Sequence, residues 1–343
     1  MAELNIFKRF DDGAAVRGQQ YNSNYGLFSD GAIGQITTFY SGNLEASVAG
    51  VSTVSTSMKR YYYDVWSTAD SSSLAEFSVA YGHIYNSGSL QNGGTVDYAY
   101  PSRTIWSKFN NILSPGGIMD PLKDSSDVTM NHFYAIAMRR SNIKEWMDPG
   151  NWELHLSSSL NSNISLIDSS HYEQGSSVYD ITPSTKYFIV SGSIANGAYP
   201  STTSPDWYGH FFPYYGVLVL DPSKFSTGLG IDTGSTAYKD NAGKMFRAIK
   251  GGANFIARSS ENIKTQNFFC RINNNMFNYS TNPTFRKTTG AILIPQFISN
   301  PQVYITTVGL YNDAGELLAV AKLSRPVKKN FQTELNINVR LNY

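Results

Sequence analysis

The chain has 343 residues, with 27 Lys and Arg set against 26 Asp and Glu, a single cysteine and a 14% share of aromatic side chains. A net charge of +1 gathers neither nucleic acid nor anionic membrane by long-range attraction, and the lone Cys270 excludes a disulfide framework within the chain. Charged residues make up 15% of the sequence, against roughly 25% in ordinary soluble domains. Together with abundant Tyr, Asn, Ser and Gly this fits a surface built for protein contacts, or the Tyr and Phe usage of an all-β protein.

Residues 1–10 lack an apolar core of signal-peptide length, and no run approaches the ~20 apolar residues of a membrane span. A protein soluble where it is made is expected. Length permits one large all-β domain or two smaller ones. The polar stretch 157–172 predicts a boundary between a β-rich lobe 1–156, with one helix near 103–113, and a second β-rich lobe 157–343.

Short apolar runs with period two, bounded by Gly, Asn, Asp, Pro and Ser, predict strands at 35–40, 60–66, 75–85, 132–139, 152–156, 186–194, 214–220, 267–272 and 291–294. In 75–85, Ala75, Phe77, Val79 and Tyr81 fall on one face, because side chains alternate across a strand. Helical period appears at 103–113, with Ser102 as N-cap, one face formed by Ile105, Trp106, Phe109, Ile112 and Leu113, and Pro115 as the stop. A second helix is predicted at 241–250, ended by Gly251 and Gly252, and a short turn at 142–147. The Ser- and Gly-rich stretches 41–57, 67–73 and 157–170 read as loops or edge segments. The expected class is therefore mainly β, a β-sandwich-like mixed α+β fold with few short helices.

The chain contains no H-E-x-x-H, C-x-x-C, Walker loop or G-x-S-x-G. The glycine-rich segment 228–234 has the wrong spacing for a phosphate loop and reads as an ordinary loop. His83, His132, His155, His171 and His210 are scattered without i, i+2 or i, i+4 pairing, although His132 and His155 can still meet across neighbouring strands. Asp120, Asp124, Asp127, Asp148 and Asp180 stand beside Pro, Ser or Gly and read as turn or capping residues. No catalytic residue, cofactor site or metal site is predicted.

Two aromatic clusters are more informative. One is Tyr61, Tyr62 and Tyr63. The other is Trp207, Tyr208, Phe211, Phe212, Tyr214 and Tyr215, with His210 and Pro213 interleaved. Three destinations are open to them: the protein's own core, a partner's surface, or stacking against carbohydrate.

The clearest pattern closes the chain. Residues 303–311 and 316–323 flank the turn Asn312-Asp313-Ala314-Gly315 and predict a hairpin over 303–324. A four-residue loop places Tyr304, Thr306, Val308 and Leu310 opposite Leu323, Ala321, Ala319 and Leu317. Leu335, Ile337, Val339, Leu341 and Tyr343 then alternate with polar residues, predicting a terminal strand at 333–343.

The stretch from Ile305 to Ala319 resembles the strand, Asp-Gly turn and strand hairpin of phage tail-fibre and baseplate proteins. With Pro326, the terminal strand, the Asn-rich 273–283 and Asp148-Pro149-Gly150-Asn151-Trp152, the chain resembles virion structural proteins of T4-like phages, including cyanophages, and most of all a tail baseplate wedge subunit. The resemblance is closest at the end of the chain, looser in the middle, and absent from residues 1–130. It implies a virion structural role in a contractile tail, assembled in the host bacterial cytoplasm. It also implies no catalysis, other tail and baseplate proteins as partners, and a homodimer or other homo-oligomer, with no nucleic acid or membrane partner. A tail-fibre connector or receptor-binding glycan module is the second reading, and a glycan-degrading tailspike enzyme the third.

Overall fold

The computed structural model of the protein describes residues 16–28, 34–41, 62–68, 74–85, 102–124, 126–158, 163–170, 181–195, 197–198, 207–226, 229, 231, 241–280 and 282–342. In chain order the elements are β1 Val16–Gly26, β2 Gln35–Ile36, β3 Tyr62–Val65, β4 Phe77–His83, α1 Ser102–Leu113, β5 His132–Met138, β6 Trp146–Ser157, β7 Asn163–Asp168, β8 Tyr187–Ser193, β9 Gly197–Ala198, β10 Gly209–Phe212, β11 Val217–Leu220, α2 Asn241–Gly252, β12 Phe255–Ile272, α3 Gln296–Ser299, β13 Val303–Tyr311, β14 Leu317–Lys329 and β15 Leu335–Asn342. The fold is mainly β, as the period-two pattern predicts. By compactness the chain divides into Asn22–Asn262 and a smaller unit made of Met1–Tyr21 with Ile263–Tyr343.

The boundary expected at 156/157 falls instead inside an antiparallel pair, where β6 and β7 run together from Leu154↔Leu166 to Ser157↔Asn163. Ser and Asn dominate that stretch, yet Leu166, Ile167 and Asp168 are buried, so a strand lies where the composition reads as loop. Strand β12 contributes its first part to the larger unit and its second part to the smaller.

In the larger unit the antiparallel order is β12, β6, β7, β8, β10, β11, β5, β4, β3, with β2 added on β12 and β9 on β8. The sheet curls, because α2 packs against β6 and also against β3 and β4 at the far end of that order. Phe255 of β12 and Phe77 of β4 consequently meet edge to face at 5.4 Å between centroids. Such a pair adds roughly 0.5–1.5 kcal/mol beyond its burial.

Strand β4 follows the predicted alternation: Phe77, Val79 and Tyr81 enter the main core. Its opposite face lies under α1, so closely that a Cβ on Gly82 would stand 3.0 Å from the Trp106 main chain. Helix α1 is itself rotated from the predicted stripe. Trp106, Asn110 and Leu113 are buried while Ile112 is exposed. Polar anchors select this face: Trp106 Nε1 donates to Met130 O at 2.9 Å, and Asn110 Oδ1 accepts from Leu122 N at 2.8 Å. Ser102 is the first helical residue rather than the cap.

Helix α2 runs through both glycines expected to end it. A Cβ at Gly252 would lie 2.1 Å from His155 O and one at Gly251 2.9 Å from Ser157 O, so these glycines allow helix backbone to approach strand backbone. The turn predicted at 142–147 is a single 3-10 turn at Arg140–Asn142, after which β6 begins.

In the smaller unit the second part of β12 pairs with β15 from Thr265↔Asn342 to Ile272↔Leu335. Strands β13 and β14 form a separate two-stranded ribbon. Its register differs from the predicted one: Val308 faces Ala321, Leu310 faces Ala319 and Tyr311 faces Leu317. One irregularity lies beside Leu318, and a larger one sets Ile305↔Val327 next to Thr307↔Lys322. Pro326 sits in that second bulge, where a missing N–H leaves no ladder bond unmade. The strand predicted at 291–294 is reduced to one bridge, Arg286↔Ile292.

Candidate functional site

Of the destinations open to the aromatic clusters, the protein's own core takes most of the described side chains. Tyr61 lies outside the described residues. Tyr62 is exposed, while Tyr63 is buried and stacks on Phe246 with centroids 6.3 Å apart. Phe211 and Phe212 point to opposite faces of β10, Phe211 against Trp152 in the main core and Phe212 in a second core beneath α1. Trp207 is half-buried and stacked on Phe188 at 3.5 Å, and Tyr208 is half-buried against Phe225. Tyr214 and Tyr215 are half-buried in the turn between β10 and β11, where Arg140 lies over the Tyr214 ring at 5.8 Å and donates to Tyr214 O. Interface and core share a composition rich in aromatics, so composition alone does not separate them.

Five large apolar side chains that reach solvent sit together on the β13–β14 ribbon: Tyr304, Tyr311, Leu317, Leu318 and Val320. Cross-strand pairs alternate between its faces. Val303↔Lys329, Ile305↔Val327, Val308↔Ala321 and Leu310↔Ala319 face inward, whereas Tyr304↔Lys328, Thr307↔Lys322, Gly309↔Val320 and Tyr311↔Leu317 are all exposed. Tyr304 is 62% exposed, Leu318 68% and Val320 59%. At the turn, Asn312 Oδ1 accepts from Glu316 N at 2.8 Å and Gly315 takes φ +83°, the left-handed position the sequence predicts for glycine. A two-stranded ribbon presents open backbone edges, and an edge beside exposed apolar side chains is a template for strand pairing with another chain.

Lys329, which the sequence reading passed over, anchors the ribbon's inner face. It is fully buried, and its Nζ donates to Asn274 O at 2.9 Å, Asn278 Oδ1 at 2.8 Å and Asn330 O at 2.8 Å. Alternation onward from Val327 points Lys329 inward and was the available signal.

A second cluster occupies one end of the larger sheet. His83 and His132 are cross-strand partners on β4 and β5 with rings 5.6 Å apart. The Tyr81 hydroxyl and His132 Nδ1 share a hydrogen bond at 3.0 Å, and His83 Nδ1 accepts from Tyr85 N at 3.1 Å. His210 on β10 donates from Nε2 to Lys123 O at 2.6 Å, which leaves its buried Nδ1 without a partner. Burial pushes all three imidazoles below the usual histidine range, with His132 adding to the effect at His83, and Asp221 opposing it at His132 and His210. Asp221 itself accepts from Ser223 N at 2.9 Å and Ser223 Oγ at 2.7 Å. Burial thus favours the neutral form of each ring.

His132 and His155 do not meet, since β5 and β6 are not neighbours in the sheet. His155 instead contacts Glu153 and Asn254, and Asn254 accepts from Gln35 at 2.8 Å. Asp124 makes the predicted turn contacts, accepting from Ser126 N and Val128 N. Asp148 accepts from Asn24 and Asn151, and Asp168 from Gly150 N and Ser170 N. Asp180, His171 and most of 228–234 lie outside the described residues. Cys270 is half-buried on β12. Among the described residues no three His, Cys, Asp or Glu side chains converge on a metal position, and no helix is long and apolar enough to cross a membrane.

Comparison of the chain with protein-family models, with curated proteins and with solved structures finds no match.

Proposed function

We propose that this chain is a structural component of a contractile bacteriophage tail, a baseplate wedge subunit that works by protein–protein assembly and catalyses nothing. Its place is the virion, its site of assembly the bacterial cytoplasm, and its partners are other tail and baseplate proteins together with copies of itself. The observation that carries the reading is the outward face of the β13–β14 ribbon, where Tyr304, Tyr311, Leu317, Leu318 and Val320 are exposed beside outer strand edges that pair with no further strand among the described residues. An isolated hairpin is marginal in water, and apolar groups presented this way are the usual mark of an interaction site. The same segment holds the residues that resemble phage tail hairpins. Binding geometry is the whole of the mechanism: a ribbon held by Lys329 at its base offers backbone pairing for affinity and alternate side chains for specificity. Quantitative mass spectrometry of purified tailed particles tests it. The chain is expected at a fixed ratio to the other tail proteins, and its absence from intact particles would refute the assignment.

A further inference from the structure

The near-zero total charge conceals two strongly opposed parts. Residues 263–343 carry nine Lys and Arg against three Asp and Glu, whereas residues 22–262 carry fifteen against twenty. The smaller unit's exposed ribbon concentrates the positive side: Lys322 and Lys328 lie on the outward face with Tyr304, Tyr311, Leu317 and Val320, and Arg325 is exposed in the bulge. The ribbon's acidic side chains, Asp313 and Glu316, are confined to the turn, where Glu316 is bonded to Asn312.

The larger unit carries a surface of opposite sign. After α1, residues 117–128 expose Ile118, Met119 and Val128, with Met119 at 89%. Asp120, Asp124 and Asp127 surround them, and Lys123, within 4.0 Å of Asp120 and 3.3 Å of Asp127, offsets one charge of the three. Asp124 accepts from Ser126 N and Val128 N, which holds the backbone at Val128 in place.

We infer that this chain binds a second copy of itself head to tail, the basic and apolar ribbon of one molecule docking on the acidic and apolar 117–128 loop of the next. Each surface pairs exposed apolar side chains with charge of one sign, and the complementary sign stands on the other unit of the same sequence. The contact joins two different patches, so each copy offers one ribbon and one loop, used either reciprocally between two copies or in series along a ring or filament. Complementary charge selects the register and speeds encounter, while the apolar groups supply area removed from water. The inference goes beyond the tail reading and stands without it, since a chain absent from virions can still associate in this way.

Sedimentation velocity on the full chain tests it with a charge swap. One variant is Lys322→Glu with Lys328→Glu. The other is Asp120→Lys with Asp127→Asn, chosen because Asp127 has φ +61° and Asn tolerates that conformation. The wild-type chain is expected to associate at low salt and to lose at least about tenfold in association constant in about 0.5 M salt, where exposed charges are screened within a few Å. Each variant alone is expected to fall at least about tenfold, and an equimolar mixture to regain wild-type association because both contacts are again complementary. All substituted side chains are exposed or half-exposed, and thermal midpoints check the folds. If a double variant fails to fold, Lys328→Glu and Asp120→Lys replace the pair in the same mixing scheme. A monomeric wild-type chain, variants that associate like wild type, or a mixture that stays dissociated overturns the inference. Retention of a monomeric wild-type chain on immobilised heparin, lost in the Lys variant, overturns it in favour of a polyanion.

Discussion

Lys329 Nζ donates to Asn278 Oδ1 at 2.8 Å, and this bond, with those to Asn274 O and Asn330 O, uses every proton of a fully buried ammonium group. The contact ties β14 to the Asn-rich turn after β12. Met at this position preserves most of the stem's packing but strips Asn278 Oδ1 of its donor, while Asn274 O still accepts from Asn278 Nδ2 and Asn330 O from Thr333 N. Lys329→Met is expected to lower stability by about 1–3 kcal/mol, measured by denaturant unfolding. An unchanged midpoint would show that water replaces the ammonium freely.

Acid should destabilise the larger unit before its carboxylates titrate. Burial holds His83, His132 and His210 below their unfolded value of 6.5. Between each folded value and 6.5 the unfolded chain therefore binds more protons, and stability rises with pH across that window. It is expected to be flat in these groups above about pH 7 and to fall as pH drops below about 6.5, by up to ~1.4 kcal/mol per pH unit for each histidine. Urea midpoints from pH 8 to pH 5 check this. A midpoint that climbs on acidification would contradict it.

Gly252→Ala reverses an ordinary expectation. In a free helix the change stabilises by roughly 0.5–1 kcal/mol. Here the added Cβ would meet His155 O at 2.1 Å, and the obstacle is backbone. A net loss of about 1–3 kcal/mol is expected, read as a lower thermal midpoint. A gain would mean that α2 does not press on β6.

Deleting 335–343 removes β15 from β12 and uncovers that strand's edge over 265–272. Leu335, Ile337 and Leu341 are half-buried and Val339 is buried, so the loss of burial is about 3–6 kcal/mol, less than full burial of every apolar side chain would give. Low soluble yield and a reduced thermal midpoint are expected. Full solubility and an unchanged midpoint would remove the terminal strand from the account.

The β class, α1, α2 and the terminal hairpin were legible because alternation and helical period are local properties of the chain. What failed depends on tertiary contact. Gly251 and Gly252 read as a stop until the strand beneath them is known. Ile112 reads as core until hydrogen bonds from Trp106 and Asn110 fix the other face. The hairpin register shifted by two at Val308 and Leu310 and by five at Tyr304, because bulges at Leu318 and around Pro326 leave no mark in the alternation. The residues of the exposed face were not legible. The ribbon stood out, but the aromatic runs around Phe211 and Tyr63 went to the core, and Lys329 was hidden in a pair of lysines that looked solvated.

Electron microscopy of particles made without this chain tests the central claim most directly. Loss of the gene is expected to leave incomplete or absent tails, restored by the wild-type chain. A folded variant carrying Leu317→Asp, Leu318→Asp and Val320→Asp on the outward face of the ribbon is expected not to restore them. Complete, contractile tails in the absence of the chain would contradict the account.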